Sequence, residues 1–197
     1  MSRTNQKEAS QMKSHYTVQD LTKMALLTAL ISVSAYINIP LPFSPVTITA
    51  QTLVVNMIAL LLTPRQAGFC ILVYSLLGLV GLPVFSGGVG GPGKLFGPSG
   101  GYIFSWLPAV MLMSALKGRN YHFIRYCAVT IFVGMPVIYS IGTIYMKYFT
   151  GMNWMAALSA AVIPFIPLDL FKCIAAVLIA RPVQVSLVRS GGISRAK

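Results

Sequence analysis

Long apolar blocks alternate along this chain with short polar, proline-rich or glycine-rich interruptions. About 20 mainly apolar residues cross a bilayer as a helix, so each block is tested against that length. The first block covers about Thr22–Ile39 and ends in IPLPFSPVT, where three prolines forbid helix continuation. The second covers about Thr49–Thr63, is short for a span, and stops at TPRQ. The third covers about Ala67–Leu82, followed by the glycine-rich PVFSGGVGGPGKLFGPSGG from Pro83 to Gly101. The fourth covers about Tyr102–Leu116, before the basic loop KGRNYHFIR, and the fifth about Tyr126–Phe149. The last, about Trp154–Ala180, is broken at Pro164 and Pro167. The pattern predicts an all-α membrane bundle of six transmembrane helices. Residues 1–20 form a polar N-terminal tail without the apolar core of a signal peptide; residues 21–190 form the bundle and 191–197 a C-terminal tail.

Composition supports the same class. Of 197 residues, 56% are hydrophobic and only 9% charged, against about 25% charged in ordinary globular domains. The formal net charge of +12 would suggest nucleic acid in a soluble chain, but here the bases flank apolar runs. Placing the N-terminus in the cytoplasm puts twelve of the fifteen Lys and Arg residues inside, as the positive-inside rule requires. Lys94 and Lys147 then lie outside, and Lys172 falls within the last apolar stretch. Both termini are expected in the cytoplasm and the glycine-rich loop outside, in a multi-pass protein of the cell membrane bathed in lipid. No nucleic-acid partner is expected. Cys70, Cys127 and Cys173 stand singly in apolar stretches, which suggests neither metal nor redox chemistry.

The candidate chemistry is concentrated in IPFIPLDLFKC, Ile163 to Cys173. Asp169 is the sole carboxylate of the embedded part, the other two acids being Glu8 and Asp20. A charged side chain at mid-bilayer costs about 2.5–3.5 kcal/mol on insertion scales and is usually functional. Asp169 and Lys172 are i,i+3 and share a helix face. Pro167 suits a first helical turn, which places Asp169 where the helix dipole favours an anion. Three readings are open: an internal salt bridge that mutes both charges, the polar part of a ligand site in the outer half of the membrane, or a proton relay, which a lone acid with no embedded histidine supports poorly.

The segment GVGGPGKL, Gly88 to Leu95, begins like a phosphate-binding loop. Leu95 stands where that motif needs Ser or Thr, and no strand–loop–helix context surrounds it, so nucleotide binding is rejected. Its glycines allow φ > 0 turns and close backbone approach, suiting either a plain turn or a lid over an outward-facing pocket. Gln51 and Thr52, near the outer end of the second block, offer neutral hydrogen bonds or helix capping. Tyr139 and Tyr145 interrupt the fifth block, as packing aromatics, interfacial anchors or ligand contacts. Ala25 and Ala29 form a small-xxx-small pair suited to close helix approach. His15 and His122 make no metal constellation, and no nucleophile or histidine–carboxylate arrangement suggests an enzyme.

Taken in order, IPLPFSPVTITAQTL (Ile39 to Leu53), GLVGLPVFSGGVGG (Gly78 to Gly91), GPSGGY (Gly97 to Tyr102), IYSIG (Ile138 to Gly142) and PFIPLDLFK (Pro164 to Lys172) resemble the BioY family. Its members are the biotin-specific substrate-binding (S) components of energy-coupling factor (ECF) transporters. The resemblance covers nearly the whole chain after the tail. It implies a six-helix bundle with an outward-facing vitamin pocket, docked on a transmembrane coupling (T) subunit that carries two ATP-binding cassette ATPase subunits. It implies biotin as ligand, no cofactor and no catalytic residue. By the same resemblance, substrate binding falls to Asp169 and Lys172, with residues of the glycine-rich loop. Ser86, Gly87, Gly88 and Lys94 are the loop candidates, and Tyr139 and Gln51 are added from the helices. Ala25 and Ala29 correspond to the family's docking motif. Lys94 is a second candidate for the biotin carboxylate. The sequence departs from the family pattern at Ser99, where threonine is common, and at Leu168, where glycine is common; Leu168 is expected to narrow the pocket entrance. An S component for another vitamin, such as riboflavin or thiamine, is the alternative.

Overall fold

The computed structural model describes residues 17–118 and 120–189. Most of the two tails, with His15, and Arg119 lie outside the described residues. Helix α1, Val18–Ser34, opens on a capping box: Asp20 N donates to Thr17 Oγ1 at 3.1 Å and Thr17 N to the Asp20 carboxylate at 3.3 Å. This reciprocal satisfaction of two orphan donors starts the helix earlier than the apolar pattern predicts. The helix also ends earlier. Asn38–Ile39 (β1) leaves it to pair antiparallel with Ile48–Thr49 (β2), in the register Asn38↔Thr49 and Ile39↔Ile48. Pro40 biases the residue before it to extended backbone, which favours this short ribbon over continued helix.

Helix α2, Gln51–Leu61, is followed after Thr63 by α3, Pro64–Leu79, which begins with a Thr63–Gln66 capping box and a first-turn proline. The glycine-rich loop contains the one-turn α4, Pro92–Leu95, and leads into α5, Gly100–Leu116. Then come α6, Phe123–Val129, a π-helical turn at Thr130–Gly134, and α7, Met135–Thr150. Pro136 explains the π turn. A proline in a helix clashes with the carbonyl four residues back and lacks the bonding N–H; a wider turn, here with Met135 N donating to Thr130 O, absorbs the misfit. Helix α8, Trp154–Ala161, and α9, Ile166–Arg189, are joined at a 46° bend. Each of the six predicted stretches thus contains helix.

Helix α5 packs between α3 and α7, and α2 lies against α9. Glycines set the α5–α7 spacing: a Cβ on Gly101 would meet the Tyr145 side chain at 2.3 Å, and one on Gly142 the Tyr102 ring at 2.4 Å. Large apolar side chains also cover the outside, with Phe132 77% and Leu178 58% exposed, the reverse of a water-facing surface. Phe123–Thr150 is long and apolar enough to cross a membrane by itself, and the bent α8–α9 pair passes the same test together.

One basic residue counted above for orientation is not a surface charge. Lys117, at the end of α5, is buried, and its ammonium donates to Ala59 O and Leu60 O at 2.8 Å and to Leu62 O. Helix C-termini leave carbonyls unsatisfied, and α2 has its last ones capped by a cation from a neighbouring helix. Gln184 of α9 adds a 3.1 Å bond to Leu60 O and a 3.0 Å bond to the Tyr126 hydroxyl. This lock joins α2, α5, α6 and α9 at the end of the bundle remote from Asp169.

Candidate ligand-binding site

A cleft opens among the start of α2, the glycine-rich loop, α5, α7 and the α8–α9 bend. Most of its wall is apolar or aromatic, with Tyr102, Ile103, Trp106, Ile138 and Phe165 prominent. The charged part comes from α9. Its start at Ile166 puts Pro167 and Asp169 in the first turn, as the proline pattern predicts, and Asp169 N donates to Phe165 O at 2.9 Å.

Asp169 is 8% exposed, and among the described residues its carboxylate accepts from an ammonium and two hydroxyls. Lys172 Nζ donates to its Oδ1 at 2.9 Å, Thr52 Oγ1 to the same oxygen at 3.2 Å, and the Tyr139 hydroxyl to Oδ2 at 2.7 Å. Lys172 Nζ also donates to Thr52 Oγ1 at 3.1 Å. An ionised carboxylate has about four lone-pair sites and an ammonium three protons. Among the described residues, the network therefore leaves Asp169 one acceptor position and Lys172 one donor. The pair is formally neutral, is held by α2 and α7 as well as α9, and is part of the cleft lining.

Of the residues expected from sequence, Asp169, Lys172, Tyr139, Gln51 and Ser86 line the cleft together. Gln51 differs from the rest. It is 1% exposed, and its amide nitrogen donates to the Tyr74 hydroxyl at 2.6 Å, Val84 O at 3.3 Å and Ile31 O at 3.5 Å. Its NH₂ group ties α1, α3 and the loop together.

Gly87, Gly88 and Lys94 are not among the lining residues. The two glycines take φ of +83° and +69°, which favour glycine, and their N–H groups donate to Ala35 O at 3.0 Å and Phe85 O at 2.9 Å. They shape the turn that presents Ser86. The loop is anchored by fully buried Phe85, whose ring meets Tyr74 edge-on at 5.6 Å, and by buried Leu95. Lys94 is half-buried in α4; burial draws its pKa below the usual lysine value, and among the described residues its ammonium has no hydrogen-bond or ion-pair partner. Ser99 lines the cleft, whereas Leu168 does not and is exposed. Consecutive helical residues point about 100° apart, so the turn that aims Asp169 inward aims Leu168 away. The expected narrowing of the entrance is not found.

Thr52 and Trp106 are the contributors that sequence reasoning underrated. Thr52 reads as a possible cap, and its bonds to a residue 117 positions away have no local signature. Trp106 reads as one more apolar helix residue, although a buried indole N–H always raises the question of its acceptor.

Ala25 and Ala29 are exposed on α1, beside exposed Leu26, Leu30 and Val33. They lie apart from the cleft.

A helical bundle with an apolar exterior and a partly charged cleft defines a membrane protein with a candidate small-molecule site. The BioY family model matches residues 6–189, and the chain belongs to the BioY family. It is 39% identical over 158 residues to the biotin transporter BioY2 of Lactococcus lactis, covering 78% of this chain and 84% of the relative. It is 36% identical to the probable biotin transporter BioY of Pyrococcus horikoshii, covering 84% and 96%. The crystal structure of the S-component for biotin from an ECF-type ABC transporter superposes with a TM-score of 0.78 at 30% identity, covering 88% of this chain and 94% of that one. The fold is that of a helical membrane bundle, and the family is one of transporters, not enzymes.

Proposed function

We propose that this chain is the biotin-binding S component of an ECF-type uptake transporter. The observation that carries the reading is the Asp169–Lys172 pair in the cleft lining, braced by Thr52 and Tyr139 and left with one unused acceptor and one unused donor among the described residues. A ureido group offers the complement, an N–H donor beside a C=O acceptor. A free carboxylate fits this pole poorly, since it would add a second negative charge beside Asp169. Biotin then lies with its ureido ring on the pair and its apolar body among the aromatic walls. Its carboxylate is assigned to Lys94, the half-buried cation without a partner among the described residues.

The membrane arrangement belongs to the same proposal. Six spans place both termini in the cytoplasm and the loop outside. Where helices are shorter than the bilayer, the β1–β2 ribbon and the loop complete the crossing, which is tolerated because irregular backbone there is buried in protein or lines a cavity. Energy for transport comes from a T subunit and two ATPases, with Ala25 and Ala29 on the docking face of α1.

The test is a titration of the detergent-purified protein with biotin, riboflavin and thiamine. Saturable biotin binding alone is expected; binding of another vitamin in its place refutes the substrate assignment.

A further inference from the structure

Among the described residues, two buried side-chain polar atoms meet no hydrogen-bond partner, Asn38 Oδ1 and Trp106 Nε1. Of these two residues, Trp106 lines the cleft. It is 5% exposed, so bulk water does not serve its N–H, and a buried donor without an acceptor is costly. The ring is also held in place. It packs on the Tyr74 ring at 5.8 Å, and the Tyr74 hydroxyl donates to Val84 O at 3.1 Å and accepts from Gln51. A fixed, unpaired donor in the wall of a binding cleft is poised for an acceptor that arrives with the ligand.

Its place relative to the charged pair selects the acceptor. Gln51 and Thr52 are adjacent on α2, so their side chains diverge by about 100°. Gln51 reaches Tyr74, on which Trp106 rests, whereas Thr52 reaches Asp169 and Lys172. Trp106 and the pair therefore line the same cleft but are held by different neighbours. In the fused bicycle of biotin the thioether sulfur lies on the side away from the ureido carbonyl. With the ureido group on the pair, the sulfur side is turned away from the pair, toward the rest of the lining, which includes Trp106. We infer that Trp106 is a specificity-determining residue whose indole N–H donates to the thioether sulfur of the bound vitamin. This rests on the biotin reading above.

The test titrates the full chain and Trp106→Phe, in detergent, with biotin and with desthiobiotin, which keeps the ureido ring and acid tail but lacks the sulfur. Phenylalanine keeps an aromatic ring and removes the N–H. A neutral hydrogen bond to a weak acceptor predicts a two- to tenfold loss of biotin affinity, roughly, with desthiobiotin affinity unchanged within about twofold. Equal losses for both ligands, or none for biotin, overturn the inference. Failure of the unmutated chain to bind biotin would instead refute the substrate reading. Should the variant not fold, the indole ¹⁵N–H resonance of Trp106 decides, in a Trp154→Phe background that leaves one tryptophan of the chain's two. A downfield shift with biotin that desthiobiotin does not reproduce supports the bond; equal shifts overturn it.

Discussion

Replacing Asp169 by asparagine tests whether the embedded charge pair is a ligand site or an internal salt bridge. The substitution keeps size and shape and removes one lone-pair set. If the amide oxygen takes the place of Oδ1, it still accepts from Lys172 and Thr52, now at 2.9 and 3.2 Å. The amide nitrogen then faces the Tyr139 hydroxyl, which must turn from donor to acceptor, and the acceptor offered to the cleft becomes a donor. A ureido N–H meets an N–H. The loss is one charge-assisted hydrogen bond, about 1.5–3 kcal/mol, which corresponds to a Kd raised roughly ten- to 150-fold. Folding survives because Lys172, though poorly exposed, keeps Thr52 and the amide oxygen as acceptors. The assay is calorimetric titration with biotin in detergent, alongside a thermal melt without ligand. A variant that melts normally and binds within about twofold of the parent refutes the reasoning and returns the pair to an internal salt bridge.

Two further outcomes probe other parts of the molecule. Leucine at both Ala25 and Ala29 adds bulk to an exposed face of α1 remote from the cleft; biotin affinity should hold within about twofold. Overpacking a helix contact costs about 1–3 kcal/mol, so copurification with the coupling subunit, or uptake by cells, should fall about tenfold or more. Parallel loss of binding would deny a separate docking face. Lys117→Met removes the cation that caps α2. Leu60 O keeps Gln184 and Leu62 O keeps Ser114, but Ala59 O loses its side-chain donor. Destabilisation of about 1–3 kcal/mol, seen as a lower melting temperature with little change in biotin affinity, is expected; an unchanged melt refutes the capping role.

How far the chain could be read depended on how far each interaction reaches along it. The helices, the proline-started α9 and the shared face of Asp169 and Lys172 are local, and spacing alone reveals them. The short ribbon between α1 and α2 is not legible in the sequence, because two paired residues on each side leave no periodic signal. The capping role of Lys117 leaves no sequence signal, because a lysine at a helix end satisfies the positive-inside rule equally well in water or under a neighbouring helix terminus. The site divides along the same line. Its charged pair lies three residues apart, yet what sets the pair's chemistry comes from Thr52 and Tyr139, 117 and 30 positions away. Without them Asp169 and Lys172 would neutralise one another with several valences left over, and neither ligand class would be preferred. With them, one acceptor and one donor remain, a count that favours a neutral ureido edge over a carboxylate. On the proposed reading, selectivity in this site is a property of the tertiary bracing, and substitutions at Thr52 or Tyr139 are expected to change the valences that the pair offers.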